Sequence, residues 1–157
     1  MTRVNTICPT DLTNEWLQAE CREMVRIPNE LIKHPNRLNL KKIPTEYTLN
    51  KGHVLFFRNK LGYLLSRQKV IIAEMNRRGL KVNEHWVIDE SKFTPVMKMF
   101  CMSDYTPTIK ANRINIERLN ERFTLRGKAF HMTKNVKEVT NCDETWQKYS
   151  ENHLEKY

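Results

Sequence analysis

The sequence predicts an all-α protein, a compact single domain of about three main helices joined by long connecting loops. Three segments repeat apolar residues at three- and four-residue steps, which is the spacing of one helix face. These segments run from about Pro9 to Arg26, from His53 to Arg78 and from Thr106 to Arg126. The 157 residues are enough to bury one core without disulfide or metal cross-links.

Boundary residues accompany the first two predicted helices. Pro9-Thr10-Asp11 offers a helix start, and Pro28 is expected to stop the first helix. The second segment carries the strongest apolar stripe, and Gly79 is expected to close its C-terminus. Gly62 can soften or break this helix, so its well-formed part could begin nearer Gly62 than His53.

The third predicted helix begins at Thr106-Pro107, which resembles an N-cap followed by proline at the first helical position. Between the helices, residues 29–50 are expected to form a connection with one short helix near Glu30 to Lys33. Residues 80–105 keep neither helix nor strand periodicity and are expected to be mostly loop. The apolar face of the third helix is expected to consist of Ile109, Ile116, Leu119 and Phe123.

Positive charge is concentrated in the first 132 residues. The chain has 27 Lys and Arg against 18 Asp and Glu, a net charge of +9. From Thr133 onward, four lysines and five acidic residues leave −1, so residues 1–132 carry +10. Residues 1–132 are therefore expected to form the domain, and residues 133–157 a tail that is helical or disordered. The basic domain suits a polyanion such as nucleic acid, although a solvated basic surface has the same composition.

The four cysteines indicate a reducing compartment. Cys8, Cys21, Cys101 and Cys142 lie far apart, without the close pairs that hold zinc or exchange disulfides. The five histidines show no ligand spacing either, and they are expected to be structural or surface residues. No apolar run approaches the length of a membrane span, and the N-terminus lacks a secretory signal. A soluble, cytoplasmic protein without a metal is expected.

A reactive amine is available directly behind the initiator methionine. A small second residue, here Thr2, favours removal of Met1 and exposes the α-amine. An α-amine has an unperturbed pKa of about 7.7–8.0 against about 10.4 for lysine, so more of it is a neutral nucleophile near pH 7. Arg3, Arg22 and Arg26 would lower that pKa further by like-charge repulsion, and they would also hold a phosphate backbone.

Glu23 supplies a carboxylate beside two of these arginines. It follows Arg22 directly and precedes Arg26 by three residues, so it shares a helix face with Arg26. An ionised carboxylate can stabilise positive charge at a sugar C1′ as a base departs, and it can move protons around an imine. From the spacing alone, ion pairs on an ordinary surface helix remain the simpler interpretation.

Arg118, Arg122 and Arg126 follow one another at four-residue steps on the third predicted helix. Such a row lies along one flank of a helix and could track phosphates. Pairing with Glu117 and Glu121 on a solvated surface fits the same spacing.

Most of residues 1–129 resemble one protein family. The matching residues occur in order and at a nearly constant offset, which is more specific than a short motif. The sequence resembles the pyrimidine-dimer DNA glycosylases of T-even phages, also called the endonuclease V family. The resemblance is carried by Met1-Thr2-Arg3-Val4-Asn5, Ala19-Glu20, Arg22-Glu23, Arg26, Lys33-His34, Gly52-His53-Val54, Arg67-Gln68, Arg78-Gly79 and Gly127-Lys128-Ala129, among others.

The resemblance implies an enzyme that repairs ultraviolet damage in duplex DNA without metal or organic cofactor. The mature amine of Thr2 would attack C1′ of the damaged nucleotide, Glu23 would be the catalytic carboxylate, and the imine would allow β-elimination. The protein would be a DNA glycosylase and apurinic-site lyase, a monomer, in the host cytoplasm if phage-encoded. Its substrate-binding and DNA-binding residues would be Arg3, Arg22, Arg26, Lys33, Arg118 and Arg122, the last standing where the family has lysine.

Two departures from the family concern the substrate. Trp16 stands where the phage enzyme has histidine, on the stripe of Glu23 and Arg26, and it would make the pocket bulkier. A tryptophan at such a position is more often a core residue than a platform for base stacking. The aromatic-rich run before Gly-Lys-Ala is missing, because only four residues separate Arg122 from Gly127. Two alternatives stay open: a glycosylase for another damaged or modified pyrimidine, and a non-catalytic basic helical DNA-binding protein.

Overall fold

The computed structural model describes residues 4–49 and 52–126, with the side chains of residues 123–126 outside the description. Within these ranges the longest elements are α-helices, so the all-α prediction is confirmed. The predicted tail, residues 133–157, lies outside the described residues. The helices are α1 Asn14–Met24, α2 Arg26–Lys33, α3 His53–Phe57, α4 Leu61–Arg77, α5 Pro95–Phe100 and α6 Ile109–Arg126.

The longest helices, α1, α4 and α6, correspond to the three predicted main helices. α4 packs against α1, and the N-terminal segment Val4–Ile7 lies buried beside them. No helix in the described ranges is both long and apolar enough to cross a membrane. The core side chains include Val4, Ile7, Leu12, Trp16, Leu17, Met24, Leu31, Phe56, Phe57, Leu61, Leu64, Ile71, Met75, Ile116 and Leu119.

The first predicted helix is two helices, and Pro28 does not end it. α1 begins after Thr13, whose hydroxyl accepts a hydrogen bond from Trp16 N at 3.3 Å. The chain leaves α1 at Val25 and at once enters α2, where Pro28 is the third residue. The first turn of a helix leaves its N–H groups unpaired, so a proline there removes no helical hydrogen bond.

The second predicted helix is interrupted before Gly62. α3 ends at Phe57 and α4 begins at Leu61, whose N–H donates to Cys101 O at 2.8 Å. A Cβ atom at Gly62 would lie 2.6 Å from Met102 O, so this close approach of two chain segments requires glycine. Gly79 closes the helix as predicted, with a φ of 69°.

The predicted start of the third helix is wrong by two residues. The Thr108 hydroxyl, and not Thr106, accepts a hydrogen bond from Ala111 N at 3.1 Å. With this register Ile109 is 58% exposed, whereas Ile116 and Leu119 are buried as expected. The expected contribution of Phe123 lies outside the described side chains.

Helix α5 was not predicted from the sequence. Thr94 caps it by accepting a hydrogen bond from Met97 N at 3.3 Å, and Pro95 is its first residue. The helix has six residues, too few for a repeating apolar stripe to be recognised.

A buried ion pair anchors the N-terminal segment between α1 and α4. Arg67 Nε donates to Glu20 Oε1 at 2.9 Å, and Arg67 Nη2 donates to Asn5 Oδ1 at 2.9 Å. Asn5 donates its backbone N–H to Glu20 Oε1 at 3.0 Å and its side-chain amide to Glu20 Oε2 at 2.7 Å. Burial raises the pKa of Glu20, and the Arg67 charge opposes that rise. The Asn5 hydrogen bonds and Arg67 thus satisfy a carboxylate that is 0% exposed.

The arginine that follows α4 holds the chain that leads into α1. Arg78, the residue after the end of α4, donates to Leu12 O at 2.6 Å and to Thr10 O at 2.9 Å. Its Nε also donates to Glu74 Oε1 at 2.6 Å. Arg67 and Arg78 are eleven residues apart, or about three helical turns, and they hold the chain before α1 at two points, Asn5 and residues 10–12.

We predict that Arg67→Met lowers the free energy of unfolding by about 3–5 kcal/mol, because it leaves the Glu20 carboxylate buried without its ion partner. Urea denaturation monitored by circular dichroism measures the change. Arg77→Ala is the matched control on the same helix, since Arg77 is 63% exposed and Glu74 keeps Arg78 as partner. Equal destabilisation by the two substitutions would contradict the importance of the buried pair.

Candidate active site

Glu23 lies in the last turn of α1, where the chain turns into α2. Arg26 Nη1 lies 3.3 Å from Glu23 Oε1 and 3.2 Å from Oε2. The Glu23 side chain is 16% exposed, whereas that of Arg26 is 65% exposed. The helix break at Val25 therefore leaves a carboxylate accessible at the protein surface, with a guanidinium on its solvent side.

The Glu23 carboxylate opens on a small cleft between α2 and α3. Glu30, a second carboxylate in its wall, is paired with Arg37 at 2.8 Å and with Arg58 at 3.1 Å. These two guanidiniums neutralise Glu30, so Glu23 is the better placed of the two to meet developing positive charge. The cleft has a volume of about 180 Å³ and is lined by Glu23, Arg26, Ile27, Glu30, His53 and Val54.

His53 forms part of the cleft wall but is mostly enclosed by the core. His53 is 1% exposed, and its Nδ1 lies 2.9 Å from Thr48 O. Its ring meets those of Tyr47 and Phe57 edge-on at centroid distances of 5.6 and 5.2 Å. His53 is thus structural, as expected for the histidines. Among the residues that the structure describes, no three metal-ligating side chains come together as a metal site.

Arg22 precedes Glu23 directly on α1 and faces Trp86. The Arg22 guanidinium carbon lies 5.4 Å from the centroid of the Trp86 ring, within the range of a cation–π contact. The two arginines nearest to Glu23 in the sequence therefore have different partners: Arg22 contacts an indole ring, and Arg26 contacts the Glu23 carboxylate.

The remaining predicted site residues are not drawn together with Glu23 by any described contact. Lys33 is exposed in the last turn of α2. Arg118 lies on α6, where it is 52% exposed and paired with Glu121 at 2.9 Å. Arg122 lies one turn further along α6. Thr2 and Arg3 lie outside the described residues.

Trp16 does not line the cleft, contrary to the expectation of a bulkier pocket. It is 2% exposed and belongs to the core. Trp16 and Glu23 do share a helical stripe, but seven residues separate them by about two turns, or about 10.5 Å along the axis. Trp16, at the start of the stripe, is buried in the core, whereas Glu23, at its end, lines the cleft.

Several side chains that shape the site were not singled out from the sequence. Glu20 and Arg67 form the buried ion pair, and Gln68 holds the backbone of Trp86 and Ile88. A recognisable signal was present, because Arg67 and Gln68 fall within the apolar stripe of α4, where charged and amide groups are rare unless they are paired. Burial also raises the pKa of Cys21 to about 11, with the Glu20 charge adding to the effect, so this thiol is protonated and unreactive.

The basic composition suits a protein that acts on a polyanion, and Glu23 offers an accessible carboxylate beside Arg26. The family model for pyrimidine dimer DNA glycosylase matches residues 1–88, which is more than half of the chain. The protein belongs to the pyrimidine dimer DNA glycosylase family, and the family resemblance is confirmed. The matched residues include α1 to α4 and extend through Trp86, whereas Arg118 and Arg122 lie beyond them.

We predict that Glu23→Gln changes the free energy of unfolding by less than about 1 kcal/mol, because the pair that it breaks is solvent-exposed on the Arg26 side. Glu20→Gln, one turn earlier on the same helix, is the matched contrast, since it removes the partner of buried Arg67 and should destabilise strongly. Thermal and urea unfolding measure both. A large loss of stability in Glu23→Gln would show that Glu23 has a structural role.

Proposed function

We propose that the protein is a DNA glycosylase and apurinic-site lyase that acts on ultraviolet-induced cyclobutane pyrimidine dimers in duplex DNA. Its nucleophile is the α-amine of Thr2, and its catalytic carboxylate is Glu23. Family membership indicates a pyrimidine dimer DNA glycosylase. The observation that carries the finer proposal is the anchoring of Asn5 to Glu20, one helical turn before Glu23.

The anchor limits how far the amine of Thr2 can be from Glu23. Residues three apart on a helix have Cβ atoms about 5–6 Å from each other, which places Glu23 beside Glu20. Thr2 precedes Asn5 by three residues, and three residues span at most about 10 Å. At most about 10 Å of chain therefore separates Thr2 from the anchored Asn5, and the proposed mechanism has the amine reach the cleft across this distance.

The proposed reaction starts when the neutral amine of Thr2 attacks C1′ of the damaged nucleotide. A bond forms between the amine nitrogen and C1′, and the glycosidic bond breaks, its electron pair leaving with the base, which takes up a proton. Glu23 stabilises the positive charge on the sugar as the base departs. The nitrogen then gives up its two protons, and its electron pair forms the C=N bond of the imine as the C1′–O4′ bond breaks. O4′ leaves with the electron pair of that bond and takes up one of the protons.

Strand cleavage follows from the imine. Glu23 removes a proton from C2′, and the electron pair expels the 3′ phosphate by β-elimination. Water releases the enzyme from the imine, so the step needs no oxidant or reductant. The proposed DNA contacts beside this centre are Arg3, Arg22, Arg26 and Lys33, whose charges suit phosphate oxygens.

A glycosylase for another damaged or modified pyrimidine is the second candidate. The short spacing between Arg122 and Gly127 favours it, because the aromatic run of the family is missing there. Buried Trp16 no longer supports an altered pocket. A panel of duplexes that each carry one lesion separates the two candidates by which duplex is cleaved.

We predict that borohydride traps a covalent adduct between the processed protein and dimer-containing duplex DNA, and that Glu23→Gln abolishes the adduct. The intact mass of the protein establishes first that Met1 has been removed. Glu90→Gln, which changes an exposed carboxylate in the loop before α5, is the control and should retain the adduct. No adduct with either dimer or abasic DNA contradicts the proposal and favours a non-catalytic DNA-binding protein.

We predict that Arg118→Ala weakens binding to DNA of any sequence and lowers the salt slope by about 0.9, the value of one phosphate contact. Titrations at several salt concentrations measure the slope. Arg77→Ala removes the same charge from an exposed position outside the proposed binding residues and should leave the slope unchanged. If Arg118→Ala also left it unchanged, Arg118 would not contact DNA.

A further inference from the structure

The loop between α4 and α5 places a tryptophan ring under Arg22. Both polar atoms of buried Gln68 hold this loop, since Gln68 Nε2 donates to Trp86 O at 2.7 Å and Ile88 N donates to Gln68 Oε1 at 2.7 Å. Ile88, two residues after Trp86, is itself buried in the core. The Trp86 backbone is therefore fixed to α4, although its loop runs along the surface beside α1.

We propose that Trp86 is a positioning residue for Arg22, and that it determines how tightly the protein binds DNA beside Glu23. The proposal rests on the proposed function for the role of Arg22 as a DNA contact. Nothing in the sequence pattern of α1 indicates this partner, because Trp86 is 64 residues further along the chain.

A cation–π contact with a fixed ring explains the effect. An arginine on an exposed helix samples many rotamers, and binding a phosphate requires that one be selected. The Arg22 guanidinium carbon lies 5.4 Å from the centroid of the Trp86 ring, and this contact favours the rotamers that are directed at the indole. The guanidinium carries five N–H donors that can bind phosphate oxygens. Trp86 thus orients Arg22 before DNA arrives and adds no charge of its own.

The position of Arg22 gives this orientation a functional consequence. Arg22 is adjacent to Glu23 in the last turns of α1, and Arg26 borders the carboxylate from the other side. A phosphate held by a fixed Arg22 places the neighbouring sugar in a constant relation to Glu23. A mobile Arg22 could still attract DNA, but it would not fix the register of the strand.

A double-mutant cycle on DNA binding tests the proposal. We expect Trp86→Leu to weaken binding about 3- to 10-fold, which corresponds to one cation–π contact. Trp86→Phe keeps an aromatic face and should recover much of the affinity. In an Arg22→Ala background, Trp86→Leu should change the affinity less than about two-fold, because its effect passes through Arg22. Val87→Ala, a change at an exposed neighbour in the same loop, is the control and should have no effect.

Two further measurements separate positioning from simple structural support. Trp86→Leu should leave the salt slope of binding unchanged, whereas Arg22→Ala should lower it by about 0.9. In the protein without DNA, the Arg22 side-chain proton resonances should carry a ring-current shift that Trp86→Leu removes. Urea unfolding of each variant shows that the comparison is made between folded proteins.

Opposite results overturn the positioning role. It fails if Trp86→Leu weakens binding equally with and without Arg22, or if Trp86→Phe is no better than Trp86→Leu. If the wild-type protein forms the borohydride adduct but the effects of Trp86→Leu and Arg22→Ala on DNA binding are additive, this inference alone is contradicted. If the two effects are coupled but the wild-type protein forms no adduct, the proposed function alone is contradicted.

Discussion

The buried ion pair between Glu20 and Arg67 determines how the N-terminus, α1 and α4 are arranged. A carboxylate and a guanidinium are costly to remove from water unless their remaining hydrogen-bonding positions are filled. Asn5 fills them with its backbone N–H and its side-chain amide, and it can do so only if the N-terminal segment runs between the two helices. Burial of a polar network therefore fixes Asn5 and holds residues 4–7 in the core.

The candidate site lies next to this arrangement and depends on it. α1 carries Glu20 inward and Glu23 outward, so one helix both anchors the N-terminal segment and presents the carboxylate. α4 supports the site from behind, because Arg67 and Arg78 hold the chain before α1 while Gln68 holds the loop of Trp86. α1 and α4 thus position Glu23 and the backbone of the Trp86 loop, and the proposed reaction depends on such fixed positions.

Sequence periodicity predicted the long helices well because each buries a continuous apolar stripe. Periodicity failed to predict the helix boundaries and the short helix that depend on tertiary contacts. Pro28 lies in the first turn of α2 because the chain turns at Val25, and α5 is too short to show a period. The N-cap of α6 is Thr108, two residues after Thr106, and both threonines carry the hydroxyl group that an N-cap needs. Glu23 and Arg26 were predicted to share a helix face, and they form an ion pair. The ion pair between Glu20 and Arg67 was not predicted, because residues that pair between two helices have no characteristic spacing in the sequence.

Mapping the reduced covalent adduct identifies the nucleophile, which we propose is the α-amine of Thr2. The adduct is digested with a protease and nuclease, and the modified peptide is sequenced by mass spectrometry. The sugar remnant is expected on the α-amine of Thr2 in the N-terminal peptide. A remnant on a lysine side chain, with an unmodified N-terminal peptide, would contradict the proposed mechanism.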